Sequence, residues 1–568
     1  MKAFAALYTE LDASTSTLHK VDALERYLRQ ASPDDAGWAV YLLAGGKPRQ
    51  AVPTRLMREA AIEASGVPDW LFEESYQAVG DLAETVAHLL PAPRVVDQAG
   101  LAEWMAQRLP SLRGVPPEAA RIALRAWWSG LDWNGRFVLG KLITGGFRVG
   151  VSKLLVIRAV ARVAGADEKA IAQRMIGYTA ADVPPDAARW QAIVEPDDGA
   201  SAAPAGHPYP FFLSHPLQQS AESLGDPRDW LVEWKWDGIR AQLVLRGNGC
   251  WLWSRGEELV TERFPEVERA GRALAAAIDP NGQGLVLDGE VLAWDASAAR
   301  PLPFSALQRR VTRKTLTAAV LREAPVAFVA YDLLEWRGED VRERDQAGRR
   351  TTLEGLLETA SAGAPGVAAL RALHLSPRVE AADWAEFAAI RAEARARGVE
   401  GFMLKRLSSR YGVGRTRAEG ADWWKWKIDP YTVDAVLVYA QRGHGRRASL
   451  YSDYTFAVWD RPADPLDPAP RTLLPFAKAY SGLTDAEMAQ VDAVVRRTTV
   501  EKFGPVRSVT PTLVFELGFE AIARSPRHKS GIAVRFPRML RWRTDKTVEA
   551  ADSIDVLRAM LDGDAPSG

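Results

Sequence analysis

Residues Glu233-Trp234-Lys235-Trp236-Asp237-Gly238-Ile239-Arg240 set a lysine between two tryptophans, with a carboxylate two positions away on either side. Read as a strand, the segment points Glu233, Lys235 and Asp237 to one face and Trp234 and Trp236 to the other. Apolar neighbours strip water from an ammonium and free its amine lone pair for attack, which makes Lys235 a candidate nucleophile. Taken alone, a K-x-D-G is more often an amphipathic strand with a surface ion pair. The segments downstream decide between the two readings.

Ser254-Arg255-Gly256 closes a strand with a cation, and Leu287-Asp288-Gly289-Glu290 sets carboxylates at a strand turn. Phe328-Val329-Ala330-Tyr331-Asp332 ends a hydrophobic strand with an aromatic, and Glu400-Gly401-Phe402-Met403-Leu404-Lys405 puts a carboxylate ahead of a lysine. Trp423-Trp424-Lys425-Trp426-Lys427 alternates, so Lys425 and Lys427 share one face and two of the tryptophans the other. Each segment alone reads as a solvated strand; in this order they suit nucleotidyl transfer. A nucleophilic lysine attacks an α-phosphate, and spare cations offset the charge that builds on its oxygens. Carboxylates hold an oxygen-loving divalent metal, and an aromatic stacks on a base. No G-x-x-x-x-G-K-[ST] is present, which excludes a P-loop kinase or ATPase.

The chain has 568 residues, enough for about three or four domains. Its content of 47% hydrophobic and 25% charged residues is that of an ordinary globular protein. Cys250 is the single cysteine, so neither an internal disulfide nor a cysteine-built zinc site is available, in keeping with a reducing cytoplasm. The opening MKAFAALYTELD is interrupted by Glu10 and Asp12 and does not read as a secretory signal. No apolar run approaches the roughly 20 residues that span a bilayer. The formal net charge is zero, yet residues 121–162 hold eight Lys/Arg against one acid, 405–427 seven against two, and 524–546 eight against one. Such blocks on a neutral chain imply local sites for anions.

Residues 1–193 read as helical, with apolar residues at three- and four-residue spacing (Leu101, Trp104, Met105, Leu109; Ile122, Leu124, Trp127, Trp128). Residues 194–210, rich in Pro, Ala, Gly and Asp, read as a linker. From 211 to 429 short strands alternate with helices, the latter expected over 264–278 and 383–397. Residues 430–560 read as a smaller β-domain with one helix near 484–498, and 561–568 as a tail.

The six segments, with Arg535-Phe-Pro-Arg538-Met-Leu-Arg541-Trp-Arg543-Thr-Asp545-Lys546, resemble the ordered motif set of ATP-dependent DNA ligases, covalent nucleotidyltransferases. The resemblance runs from about residue 213 to 548. Upstream, Arg136-Phe-Val-Leu-Gly-Lys141-Leu-Ile-Thr-Gly145-Gly146-Phe-Arg148-Val-Gly150-Val-Ser152 is similar to the phosphate-gripping part of the helical domain of larger ligases. The overall plan resembles three-domain bacterial ligases. It implies an all-α N-terminal DNA-binding domain, an α+β adenylation domain and a C-terminal β-barrel of the OB-fold type.

Carried onto this chain, the resemblance implies that Lys235 becomes a lysine–AMP, that Glu233 reads the adenine amino group and that Tyr331, usually Phe in relatives, stacks on the base. Arg240 and Arg255 would contact the sugar or the DNA 5′-phosphate. Glu290 would hold the ribose or a metal, Glu400 the metal, and Lys425 and Lys427 the α-phosphate. Arg535, Arg538, Arg541, Arg543, Asp545 and Lys546 would orient the leaving pyrophosphate. ATP and Mg²⁺ are the implied cofactors and nicked duplex DNA the partner. A cytoplasmic monomer serving repair or recombination is expected.

A nick carries no special base sequence, so backbone contacts must dominate its recognition. Lys141, Gly145, Gly146, Arg148 and Gly150 are the candidate phosphate contacts, glycines admitting close backbone approach. A plain helix–turn–helix inside the N-terminal domain is the alternative for those glycines. Gln441-Arg442-Gly443-His444-Gly445-Arg446-Arg447 reads equally as a DNA-facing hairpin or a solvated basic turn. An RNA ligase or GTP-using capping enzyme stays open as a rival, as does a non-catalytic DNA-binding relic. An NAD-dependent ligase conflicts with the lone cysteine.

Overall fold

The computed structural model describes the chain apart from residues 48, 94–95, 146, 148, 181–182, 196–205, 314–315, 364–368, 416–421, 444–449, 465, 467–468, 505, 527 and 564–568. By proximity it forms two compact units, residues 7–47 with 148–428, and residues 1–6 and 48–147 with 429–568. The helical N-terminal stretch thus contributes to both.

In the first unit, helices Thr17–Gln30 and Lys153–Ala164 pack together, and each buries an apolar stripe, with Val21, Leu24 and Leu28 on one and Val156 and Val160 on the other. Two sheets follow. Strands β1 (Trp230–Trp234), β2 (Ile239–Arg246), β3 (Gly249–Ser254), β4 (Leu285–Asp295), β5 (Val326–Trp336), β6 (Gly401–Arg406) and β7 (Trp423–Lys427) carry the functional segments.

The smaller sheet runs β7-β6-β1, both pairings antiparallel, with His215–Pro216 parallel on the β7 edge. Strand alternation sends Val232, Trp234, Phe402, Leu404, Trp424 and Trp426 to one side, where they pack with Trp384 and Phe387 of helix Trp384–Ala392. The same alternation turns Glu233, Met403, Lys405, Trp423, Lys425 and Lys427 to the other side.

The larger sheet runs β3-β2-β4-β5. Ala241, Leu243, Leu287 and Val291 on its outer face bury Val267 and Leu274 of helix Pro265–Ile278. Its inner face carries Arg240 opposite Glu290, Gln242 opposite Asp288, and Val244 opposite Val286. Val244, Val286 and Leu334 meet Phe212, Tyr411, Met403 and Trp423 in a second core, so the two inner faces look at each other. Each side chain fully buried there contributes about 1.5–3 kcal/mol. Trp423 is among them, at 1% exposure.

Three expectations change in this unit. Strand β1 stops at Trp234, so Lys235 lies just past it and not within it. Asp288 and Glu290 stand mid-strand in β4, and Tyr331 mid-strand in β5, because both strands run 11 residues and pair with each other from Leu285 to Ala293. The helix expected over 383–397 ends at Ala392.

In the second unit, helix Trp133–Thr144 packs on Leu82–Leu89, and Pro117–Ser129 on Thr54–Ser65. Leu124 and Trp128 are buried one turn apart, whereas Ile122 is 54% exposed, so that stripe is narrower than the spacing implied. Strands β8 (Tyr431–Arg442), β9 (Tyr451–Trp459), β10 (Leu473–Ala479), β11 (Val514–Phe519) and β12 (Arg538–Trp542) follow. Strand β8 pairs with β9 and β11, β9 with β10, and β11 with β12. Met539 N–H then donates to Ser481 O at 3.0 Å, bringing β12 back beside the end of β10. That ring order is the OB-type barrel. Helix Asp485–Thr498 starts with a Thr484–Glu487 capping box and buries Met488, Val491 and Val495. The last helix, Ile554–Gly563, continues beyond residue 560, where a tail was expected, because Ile554, Leu557, Met560 and Leu561 keep a helical apolar stripe on the barrel core.

Candidate active site

Lys235 stays tied to the small sheet although β1 has ended. Its N–H donates to Gly401 O at 2.7 Å and its carbonyl accepts from Glu400 N–H at 2.8 Å. Gly401 turns there with φ 118°, and a side chain on it would meet the Trp426 carbonyl. The Lys235 ammonium donates to Glu400 Oε2 at 2.5 Å, and Lys427 Nζ lies 3.4 Å from the same oxygen. The apolar nest expected around Lys235 is therefore not what it meets. Trp234 turns to the opposite face, and Trp236 Nε1 donates to Ser376 Oγ at 3.2 Å. The immediate surroundings of the amine are charged.

Those charges shape one another. Burial pushes the Glu400 carboxyl upward, but Lys235 and Lys427 outweigh it and hold it below its ordinary value. Across the gap, burial drives Glu290 up to about 8 against the pull of Lys235 and Arg240, with Asp288 and Glu400 adding to the rise. Lys425 is lowered by burial first and then by the neighbouring cations Arg415, Lys235 and Lys427. Gly238, two residues after a potential nucleophile's neighbour Trp236, passes so close to β4 that a side chain there would run into the Val291 carbonyl and lie 2.8 Å from Glu290 Cγ.

Glu233 and Tyr331 sit on the same two inner faces. Asp288 pairs with Asp332 and Gly289 with Ala330, which leaves Tyr331 as the extra residue of a β-bulge. The bulge re-aims its ring; Lys405 Nζ lies 4.5 Å from the ring centre and donates to Tyr331 O at 3.1 Å. Lys405 also pairs with Glu233 Oε2 at 2.6 Å, while Arg350 donates to Glu233 Oε1 at 2.7 Å. Glu233 and Lys235 thus answer to different partners. Arg240 is held by Asp288 (2.6 Å), the Phe212 carbonyl (2.5 Å) and Tyr411 Oη (3.2 Å). Arg255 is exposed at the end of β3, its N–H on Arg240 O.

Among the described residues no group of three or more His, Cys, Asp or Glu side chains gathers as a metal cage. Glu290 and Glu400 supply two carboxylates that sense each other. That donor set suits Mg²⁺, which takes one or two carboxylates and completes its shell with phosphate oxygens and water.

The other expected residues lie elsewhere. Lys141 is ion-paired with Asp81 and 13% exposed, with the Phe137 ring 5.2 Å away. Gly145 ends helix Trp133–Thr144 in the left-handed conformation, φ 71°, and Gly150 O accepts from Lys20 Nζ at 2.8 Å. Gly146 and Arg148 lie outside the described residues, as does most of the 441–447 turn. In the second unit Arg538 faces Glu520 at 3.4 Å, and Arg541 faces Glu516 at 3.1 Å with 61% of its side chain exposed. Arg543 and Lys546 both bind Asp434 at 2.7 Å, and Arg543 holds Asp545 down to about 2. Arg535 stacks on Phe536 at 5.0 Å.

Three site residues had no such role assigned from sequence: Asp288 as the anchor of Arg240 and Lys405 beneath Tyr331, both inside quoted segments, and Arg350 on Glu233, outside all of them. Arg349-Arg350 sits on a helix face, where a basic pair reads as solvent-exposed; both are in fact at most 1% exposed.

Comparison with known proteins finds three matching family profiles. The profile of the ATP dependent DNA ligase domain matches residues 212–427, that of the DNA ligase N terminus 1–161, and that of the ATP dependent DNA ligase C terminal region 447–546. A probable DNA ligase of Koribacter versatilis is 31% identical over 98% of this chain and 95% of its own. DNA ligase 1 of Korarchaeum cryptofilum is 28% identical over 99% and 98%. The solved structure of Pmar-Lig_PreS3 shares the fold at a TM-score of 0.59, covering 95% of this chain and 99% of that one at 16% identity.

Proposed function

The chain belongs to the ATP-dependent DNA ligases, enzymes that join DNA strands through adenylated intermediates, and from that premise we propose that Lys235 is the residue adenylated here. The observation that carries the assignment is the convergence of Lys235, Glu400, Lys425, Lys427 and Glu290 between two facing sheets. The amine must lose its proton to solvent before attack, and Glu400 Oε2, 2.5 Å away, would orient it. Lys235 Nζ then bonds to the α-phosphorus while the bond to pyrophosphate breaks. In the second step a 5′-phosphate oxygen at the nick takes the adenylyl group and the Lys235 amine is restored. In the third the 3′-hydroxyl attacks that phosphate and AMP leaves.

Each step displaces a leaving group at phosphorus, so positioning and charge compensation dominate the rate. Lys425 and Lys427, on one face of β7, would meet α-phosphate oxygens. Glu290 and Glu400 would hold Mg²⁺, which when bound neutralises charge on phosphate oxygens. Tyr331 would carry the base, Arg240 and Arg255 the sugar or 5′-phosphate. In the second unit Arg535, Arg538, Arg541, Arg543, Asp545 and Lys546 would orient pyrophosphate. Lys141, Gly145, Gly146, Arg148 and Gly150 would approach duplex phosphates. The working division is 1–193 for DNA, 211–429 for adenylation and 430–560 for the barrel, supported by the three matching profiles. We read the substrate as nicked duplex DNA, the enzyme as a cytoplasmic monomer and its role as repair or recombination. No helix among the described residues is long and apolar enough to cross a membrane.

The test is incubation with Mg²⁺ and ATP, GTP or NAD, read by intact mass, followed by sealing of nicked DNA. An AMP adduct from ATP alone, absent in Lys235→Ala, is expected. A GTP adduct, or a Lys235→Ala protein that still charges and seals at the parental rate, would overturn the assignment.

A further inference from the structure

Arg350 lies in helix Gln346–Gly363, outside every segment that pointed to nucleotidyl transfer. It is 1% exposed, and its guanidinium is engaged on three sides. Nη1 donates to Glu233 Oε1 at 2.7 Å, Nε to Glu354 Oε1 at 2.6 Å and Nη2 to Ser376 O at 2.6 Å. Glu354 is gripped in turn by Arg378, at 2.8 Å through both of its oxygens. A charge this buried persists only where its partners leave it no other geometry. Arg350 therefore fixes where the Glu233 carboxylate points.

The other end of that carboxylate is tied to the aromatic. Glu233 Oε2 lies 2.6 Å from Lys405 Nζ, which donates to Tyr331 O and sits 4.5 Å from the Tyr331 ring centre. That buried oxygen has no hydrogen properly aimed at it. With cationic donors on both sides, this carboxylate presents acceptor oxygens. A purine lying on Tyr331 with its edge toward Glu233 therefore meets an acceptor. An amino group at position 6 satisfies it, whereas a 6-keto oxygen would face it with lone pairs.

We propose that Arg350 is a positioning residue for base selection: it holds Glu233 so that the carboxylate accepts from the purine 6-amino group. This rests on the reading of Glu233 as the base-reading carboxylate. The experiment compares self-nucleotidylation of the full chain with ATP and with purine riboside 5′-triphosphate, which lacks the 6-amino group. Arg350→Met is expected to lower kcat/KM for ATP about 10- to 100-fold, mainly through KM, and to leave the purine nucleotide within about 3-fold. Arg350→Lys should recover part of the preference. Equal losses on both nucleotides would reduce Arg350 to a packing role and overturn the proposal. If Arg350→Met fails to fold, a parental ATP-to-purine ratio in Arg350→Lys overturns it as well. Glu233→Ala separates the two ideas. Preference lost in Glu233→Ala but kept in Arg350→Met rejects the role of Arg350 alone, while preference kept in Glu233→Ala rejects the underlying reading of Glu233.

Discussion

Lys235 and Glu400 form a close pair, yet Glu290 opposite them is the more telling residue. Burial raises its carboxyl to about 8, from an ordinary 4.5. In the free enzyme the folded chain therefore keeps a proton on Glu290 that the unfolded chain gives up above about 4.5. Stability from this group is full below that value and is lost as pH rises to about 8, because the unfolded state then binds fewer protons than the folded one. Glu290→Gln removes the linkage. Its thermal midpoint in EDTA should gain on the parent steadily between pH 5 and pH 8; a constant difference across that window would show that Glu290 does not titrate in it. The same substitution should slow adenylation, since a neutral amide is a poorer partner for a hard cation.

At the scale of elements, two contacts hold the site's strands in place. The turn at Gly238 lets the chain pass against β4 beside Glu290 and Val291. Gly238→Ala forces a shift there, and overpacking of this kind costs about 1–3 kcal/mol. Because misplacement of about 1 Å costs up to about 100-fold in rate, adenylation should fall about 10- to 100-fold. Single-turnover adduct formation at the parental rate would contradict that expectation. The second contact joins β5 to helix Gln346–Gly363. Arg349 Nε and Nη2 donate to Asp332 Oδ1 and Oδ2 at 2.8 and 3.0 Å, and both side chains are fully buried. Arg349→Met strips the buried Asp332 of its guanidinium and leaves it only the Leu333 N–H at 2.9 Å, at a cost of about 3–5 kcal/mol. Urea unfolding followed by tryptophan fluorescence should show the first transition at clearly lower denaturant.

For the whole molecule the question is how a chain of zero net charge holds DNA. The basic block 121–162 turns out to be largely answered from elsewhere in the chain. Arg121 faces Glu118, Arg125 faces Glu63, Lys141 Asp81, Lys153 Glu257, Arg158 Glu168 and Arg162 Asp22, and Arg136 is spent on the Trp128 and Leu90 carbonyls. Phosphates must therefore compete with carboxylates for these cations. Nick binding should still weaken by about 10-fold or more between 50 and 200 mM salt, since even a few phosphate contacts release counterions. Affinity measured by fluorescence anisotropy that hardly changes over that range would refute contact through backbone phosphates.

The sequence alone sufficed for the reaction class, the order of the segments and the identity of Lys235, Glu290, Glu400, Lys425 and Lys427 as candidates. Those are short local motifs read in order, and alternation along β7 settles within a few residues that Lys425 and Lys427 share a face. It also located the β-rich part that follows residue 430 and helix Asp485–Thr498 within it. Which charge meets which was beyond it. Lys235 finds Glu400 across 165 residues, Glu233 finds Arg350 across 117, and Lys141 finds Asp81 across 60. Tyr331 owes its aim to a slip in the register of two strands, which neither strand encodes alone. Ion pairs and bulges depend on distances through space, and those exist only once the sheets have closed on each other.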